Sequence, residues 1–252
     1  MTYNILNGGK GREGYILEVI EANQPDVIVF QEVYDPDFLA SLAVPLEMDY
    51  FFGPGNAQRR VALLSRLPIH NAKSHHPRWP IARNFVAAEI EYQPRQTFHL
   101  IGIHPMAILS MPFEVWRWLE ARYIINHYQM QRDQPCLIAG DFNAVAPTDT
   151  IGLNLMPGWL KWMLRLQGSR AYHYSMKKYL SAGFSDCFRE LNPDDTGFTL
   201  PPPEPNTRLD YILANDTMRP FLKKCWAVRE PKAVLNASDH YPVMAVFDIE
   251  TH

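Results

Sequence analysis

Cysteine is scarce and scattered in this chain. Its three thiols, Cys136, Cys187 and Cys225, are odd in number and far apart, which argues against a disulfide framework and leaves no paired spacing for structural zinc or redox chemistry. At least two sit among apolar neighbours, so buried, reduced thiols are expected. Long apolar runs are missing too. None reaches the length of a membrane span, and no signal-peptide core follows the N-terminus. A cytoplasmic location is the expectation. Strong charge of one sign is also absent: charged residues make up 20% of the chain and the net charge is -3. Any attraction to a polyanion must therefore be local. No Gly/Ser linker, composition break or short repeat divides the 252 residues, which read as one domain, 1–252, and as a monomer. With 47% hydrophobic residues, the chain can bury a substantial core, and disorder is not its default.

What is present centres on Cys136-Leu137-Ile138-Ala139-Gly140-Asp141-Phe142-Asn143. A short apolar run bounded by Gln134-Pro135 and Gly140 has the length of a buried strand, not of a helix. Residues two apart on a strand share a face, so Asp141 and Asn143 are expected to look the same way while Phe142 packs back. A carboxylate beside a carboxamide at a rigid strand end suits control of a water and an oxyanion. The alternative is plain turn chemistry, for which Gly-Asp-x-Asn is equally well suited.

Other strand-like runs also end on polar groups. Thr2 to Leu6 carries Asn4, and Asp26 to Phe30 delivers Gln31 and Glu32. Between them, Tyr15 to Ala22 has helical spacing and is stopped by Asn23-Gln24-Pro25. Val61 to Ser65 and Phe85 to Glu91 are further strands, the latter preceded by Arg83, and Thr97 to Ile103 ends on His104-Pro105. Asp210 lies inside the run Arg208 to Leu213, where an unpaired carboxylate is costly. Asp239 and His240 stand just before a final strand, Val243 to Phe247. Strands with few intervening helices predict packed sheets, with helices from about Pro112 to Gln131 and in the 150s to 170s on the outside. Isolated polar residues are usually structural. Here Asn4, Glu32, His104, Asp141, Asn143, Asp239 and His240 all sit at or near strand ends, and coincidence explains that poorly.

These motifs resemble the endonuclease/exonuclease/phosphatase superfamily with the deoxyribonuclease-I-like fold. The resemblance runs through Thr-Tyr-Asn-Ile at 2–5, Phe-Gln-Glu-Val at 30–33, Leu-Leu-Ser-Arg-Leu-Pro-Ile at 63–69, Gly-Ile-His at 102–104, Gly-Asp-Phe-Asn at 140–143, Arg-Leu-Asp-Tyr-Ile at 208–212 and Ser-Asp-His at 238–240. Each is weak alone, and their order and spacing make them strong together. The resemblance implies an α/β four-layer sandwich, two packed mixed β-sheets flanked by helices, with a site at one edge. It also implies a metal-dependent phosphodiester hydrolase that uses in-line attack by water. Oxygen donors without a Cys/His cage suit a hard cation, Mg²⁺ or Mn²⁺. By resemblance Glu32 is the principal ligand, with Asn4 and Asp239 close by. Asp141 orients or deprotonates water, and Asn143 holds that water or a phosphate oxygen. His240 contacts the phosphate, with Asp210 fixing it, and His104 is a second donor or an acid for the leaving group. Arg83 falls at a substrate-binding position.

Three departures from the family pattern stand out. Pro105 follows His104 directly. Gln58-Arg59-Arg60 stands where pancreatic-type nucleases place a glutamate supporting the first histidine. The residues that usually precede the first motif strand are also missing. Substrate class is left open by the fold. The segment from Thr150 to Ser185 has Lys161, Arg165, Arg170, Lys177 and Lys178 but no acid, together with Trp159 and Trp162. It reads either as helices packed on the sandwich or as a basic, aromatic rim. A rim of this kind could stack bases along a nucleic acid or lie on an anionic membrane surface. The apolar stretch Met106 to Phe113 pulls toward the second partner. Nuclease action is the leading expectation, a lipid or sugar-phosphate esterase the alternative, and a non-catalytic scaffold the third reading.

Overall fold

The computed structural model describes residues 1–53, 60–76, 83–128, 133–152, 158–166 and 171–249. Its strands, numbered in chain order, form two mixed sheets. The first holds β1 (Thr2–Asn4), β2 (Val27–Val33), β3 (Asp49–Phe52), β4 (Arg60–Ser65), β11 (Leu222–Ala227) and β12 (Val243–Phe247), in the spatial order β11-β12-β1-β2-β4-β3. The second holds β5 (Ile69–His75), β6 (Phe85–Gln93), β7 (Gln96–Ile103), β8 (Cys136–Asp141), β9 (Phe184–Asp186) and β10 (Asp210–Asn215), in the order β5-β6-β7-β8-β10-β9. β1 runs parallel to β2 and β7 parallel to β8; the other pairs are antiparallel.

Alternation along the strands produces the layers. On β2, Ile28 and Phe30 point outward to a core shared with Ile16, Val19 and Ile20 of α1 (Glu13–Asn23) and with Phe38, Leu39 and Leu42 of α2 (Pro36–Leu46). Val29 points the other way, into the space between the sheets, where it joins Leu63, Leu100, Ala139 and Ile212. On the far side, Ile101, Ile138 and Tyr211 pack on Ile124 and Ile125 of α3 (Met111–Tyr128). The four-layer sandwich expected from the motifs is the observed architecture. No helix among the described residues is long and apolar enough to cross a membrane.

The helix expected from about Pro112 to Gln131 is described from Met111 to Tyr128, and 129–131 lie outside the described residues. The helices expected in the 150s to 170s are α4 (Gly158–Leu166) and α5 (Tyr174–Leu180). Two short helices follow, α6 (Cys187–Leu191) and α7 (Val234–Ala237). α2 and the edge strands β3, β5, β9 and β11 had no sequence expectation. β3 and β5 bury none of their residues fully, so their apolar pattern is weak. All three cysteines are buried and free, as expected.

Gly140 shows how tightly the strand ends that carry the polar groups are packed. A Cβ there would lie 2.1 Å from the Ile103 carbonyl oxygen, which is backbone and cannot step aside. Gly14 in α1 has nothing within 4 Å of the same position. Gly140→Ala should therefore lower stability by about 2 kcal/mol or more through overpacking. Gly14→Ala should be neutral or raise it by roughly 0.5 kcal/mol. Thermal unfolding of the two variants checks this, and equal midpoints would show that β7 and β8 can separate freely.

Candidate active site

The polar strand ends converge at one end of the sandwich, with a division of labour between the sheets. Neighbouring strands of the first sheet bring Asn4 at the end of β1, Glu32 on β2, and Asp239 and His240 in the turn before β12. The second sheet brings His104 after β7, Asp141 at the end of β8 and Asp210 at the start of β10, directly paired with Asp141 across the ladder. Asp210 thus opens its strand instead of lying inside it, as the sequence suggested.

Two local devices aim the side chains. Glu32 is not at a strand end but in a bulge: the β2–β4 register slips between Phe30 and Val33, and Glu32 has φ of 63°. A bulge re-aims a side chain that regular alternation would bury. The backbone N–H of Asn7 donates to Glu32 Oε2 at 2.7 Å, while Oε1 accepts no hydrogen bond among the described residues and lies 4.0 Å from His104 Nε2. Around Asp141 both sequence readings hold in part. The strand runs through Asp141, and then the Asn143 N–H donates to Asp141 Oδ1 at 2.9 Å, with Asn143 at φ of 50°. Strand alternation therefore does not place Asn143. An Asx turn does, and the carboxamide donates to the Pro105 carbonyl at 3.2 Å. Phe142 packs back, as expected, between Tyr179 and Tyr211.

Asp141 stands at the centre, 2% exposed. Asn4 Nδ2 donates to its Oδ2 at 3.0 Å, and His104 Nε2 and His240 Nε2 lie 3.6 and 3.9 Å from the same oxygen. Burial raises the Asp141 carboxyl above the ordinary range and Asp210 adds to this, against the opposing pull of His240 and the Asn143 N–H. His240 is raised as well, but by a neighbouring charge and against its own burial. Its own burial favours the neutral ring, but Asp210, hydrogen-bonded to Nδ1 at 2.8 Å, outweighs that and pushes the imidazole up to about 10.

Several supporting residues carried no sequence expectation. Thr199 donates to Asp210 Oδ2 at 2.6 Å, a contact no local motif announces. Ser238, inside the Ser-Asp-His motif, donates to the Asn4 carbonyl at 2.6 Å and accepts the His240 N–H at 3.2 Å. Arg208, inside the Arg-Leu-Asp motif, is buried and bonds both Asp149 and Asp186. Arg83 stands close to Glu120 of α3 and lines a small cavity together with His104. Of the basic segment, α5 is core through Met176 and Tyr179, whereas α4 leaves Trp159, Trp162 and Leu166 63%, 65% and 68% exposed. Arg170, like Gln58 and Arg59, lies outside the described residues.

Two groups of side chains could be considered for a cation. Asp141, Asp210 and His240 offer atoms within 4.8 Å of one another, but a protonated His240 has no lone pair to give. Glu32, Asn4 and Asp239 fit better. Among the described residues, Glu32 has a fixed carboxylate with one oxygen that accepts no hydrogen bond, Asn4 an amide oxygen that accepts the Leu6 N–H, and Asp239 a half-exposed carboxylate. All three donors are hard oxygens.

Comparison with known proteins bears on this arrangement. The family model described as Endonuclease/Exonuclease/phosphatase family matches residues 1–240. The chain belongs to that family. Its members are phosphoric ester hydrolases, and so is this protein. Solved structures with the same fold include an AP endonuclease from Archaeoglobus fulgidus, at 19% identity over 98% of both chains with a TM-score of 0.74. A 3'-5' exonuclease from Neisseria meningitidis is 22% identical over 98% of both chains, with a TM-score of 0.75. A Neisseria 3' phosphatase bound to product DNA hairpin is 20% identical over 98% of both chains, with a TM-score of 0.76.

The geometry separates the two histidines of this hydrolase. Removing His240 leaves Asp210 buried without its charged partner at 2.8 Å, whereas removing His104 takes away longer contacts, 3.6 Å to Asp141 and 4.0 Å to Glu32. His240→Ala should lower stability by about 3 kcal/mol, against about 1 kcal/mol for His104→Ala. Because the folded state raises the His240 value from 6.5 to about 10, the pair's contribution is complete below about 6.5 and fades as pH rises through 10. Denaturant unfolding with EDTA, alongside ring-nitrogen NMR, measures both effects. Equal stabilities, or a His240 titration unmoved by Asp210→Asn, would show the pair to be uncoupled.

Proposed function

We propose that this protein is a divalent-metal-dependent phosphodiesterase that directs water in line at phosphorus, with nucleic acid as its substrate. The observation that carries this reading is the convergence of two histidine rings and an amide on one buried carboxylate, Asp141. An acid–base group with a raised pKa, ringed by donors, is what water activation beside an oxyanion requires. Asp141 orients the attacking water and takes its proton. His240, held protonated by Asp210, donates Nε2–H to a phosphate oxygen. Asn143 holds a phosphate oxygen or the water through the remaining hydrogen of its carboxamide. His104 is the second donor, or the acid that protonates the leaving oxygen. A contact between Arg83 and substrate rests on sequence position alone, since the structure sets its charge near Glu120.

Glu32, Asn4 and Asp239 would hold Mg²⁺ or Mn²⁺, and an ion bound there supplies charge neutralisation at the phosphoryl and leaving oxygens. Glu32→Gln keeps the volume and removes the charge, so activity at limiting Mg²⁺ should fall about 100-fold or more while the fold survives. Turnover of plasmid DNA, RNA, sphingomyelin and bis(p-nitrophenyl) phosphate, with Mg²⁺ and then EDTA, tests both the metal and the substrate class. Unchanged activity of the Gln variant would remove Glu32 as the main ligand.

Nucleic acid is favoured by the acid-free basic segment and by the DNA-directed activities named for the similar folds. A lipid substrate with peripheral membrane contact is the second reading, because Trp159, Trp162 and Leu166 are exposed and share one helical face of α4. The two make opposite demands on α4. For nucleic acid, Lys161→Ala with Arg165→Ala should flatten the salt dependence of binding by about two counterions. Trp159→Ala with Trp162→Ala should instead abolish binding to anionic vesicles if lipid is the partner. Salt titration of DNA binding and vesicle co-sedimentation separate the two, and a tryptophan pair that only lowers the melting temperature would make α4 part of the core.

A further inference from the structure

The face of α3 turned to the second sheet carries three buried charges, Glu114, Arg117 and Glu120. Two have structural work that accounts for them. Arg117 bonds Glu114 at 2.9 Å and the carbonyls of Met106 and Ile108 at 2.8 and 2.9 Å, which clamps the loop leaving His104. Glu114 accepts from the Ser175 N–H and hydroxyl, both at 2.8 Å, which fastens α5 to α3.

Glu120 is different. It is 3% exposed, and the Met106 N–H reaches its Oε2 at 3.3 Å, yet its Oε1 is buried with no hydrogen-bond partner among the described residues. A buried carboxylate oxygen without a hydrogen-bond donor is costly. Beside it is a cavity of about 10 Å³ lined by Arg83, His104, Pro105, Glu120, Tyr123 and Ile124. That is room for one water. His104 turns Nε2 toward Asp141 and Glu32, and the same residue lines the cavity.

We infer that one water in this cavity joins Glu120 Oε1 to His104 Nδ1, making Glu120 a positioning residue that holds His104 with Nε2 aimed at the substrate. This deepens the hydrolase reading and rests on the role given there to His104. The bridge would do from behind the ring what a direct carboxylate contact does elsewhere. It fixes a rotamer and leaves the donor edge free for the reacting groups.

Glu120→Leu removes the acceptor, and Glu120→Gln restores one at nearly the same place. In metal-free protein, the His104 ring resonances should shift in the Leu variant and return toward wild type in the Gln variant, while those of His99 stay put. With bis(p-nitrophenyl) phosphate and Mg²⁺, Glu120→Leu should lower kcat about 10- to 100-fold at nearly unchanged KM. That loss should vanish in a His104→Ala background. A loss that persists without His104, or His104 resonances that ignore Glu120, overturns the proposal. So does a high-resolution crystal structure of the wild-type protein with no water between the two atoms, whether or not the Leu variant folds. If the wild type turns over no phosphoester, the hydrolase reading fails, and the resonance and crystallographic results still decide the case for Glu120.

Discussion

Everything at the site end depends on one hydrogen bond between the sheets, His240 Nδ1 to Asp210 at 2.8 Å. His240 belongs to the turn before β12 in the first sheet and Asp210 to the start of β10 in the second. Each is buried, and neither charge could be held there alone. Asn4 and Asp141 make a second crossing at 3.0 Å. The apolar layer between the sheets brings them together without choosing a register, and these polar crossings choose it. The same groups that serve the chemistry therefore also align the sandwich, so a loss of activity at His240 or Asp210 has to be read together with stability.

The loops around the crossings are held by arginines. Arg117 takes the carbonyls that follow His104, and Arg208 ties Asp149, downstream of the Asn143 turn, to Asp186 at the end of β9. A guanidinium suits this task because its several fixed donors can satisfy carbonyls or carboxylates from different segments at once. Buried charge outside the site is thus mostly a set of struts that keep the strand ends from moving. Glu120 departs from that pattern, with one carboxylate oxygen bonded to the loop and the side chain beside a cavity that the first histidine also lines.

The reading of individual residues fared unevenly, for physical reasons. Asp210 was legible as a carboxylate in need of a partner because it falls in an apolar run, whereas its pairing with His240 came from the family resemblance. Glu32 was legible as a polar residue near a strand end, but not as the occupant of a bulge, because bulges depend on the partner strand. Asn143 was expected to follow strand alternation, whereas its left-handed backbone and the bond to Asp141 belong to a turn. Thr199 had no signal at all, being eleven residues from the Asp210 carboxylate it bonds. The segment around α4 and α5 was read as one unit, yet α5 is core and α4 presents its tryptophans to solvent.

By itself, the sequence determined which residue types stand at which strand ends. That follows from local patterning: short apolar runs make strands, glycine and proline stop them, and what comes next is exposed to the sheet's edge. It could not decide which ends meet. Strand order β11-β12-β1-β2-β4-β3 against β5-β6-β7-β8-β10-β9 is set by burial of surfaces far apart in the chain, and only that packing places Asn4 against Asp141 and His240 against Asp210. Charge states were decided there as well. An Asp or His has an ordinary pKa as a sequence letter, and it takes burial beside a particular neighbour to raise Asp141 and hold His240 protonated.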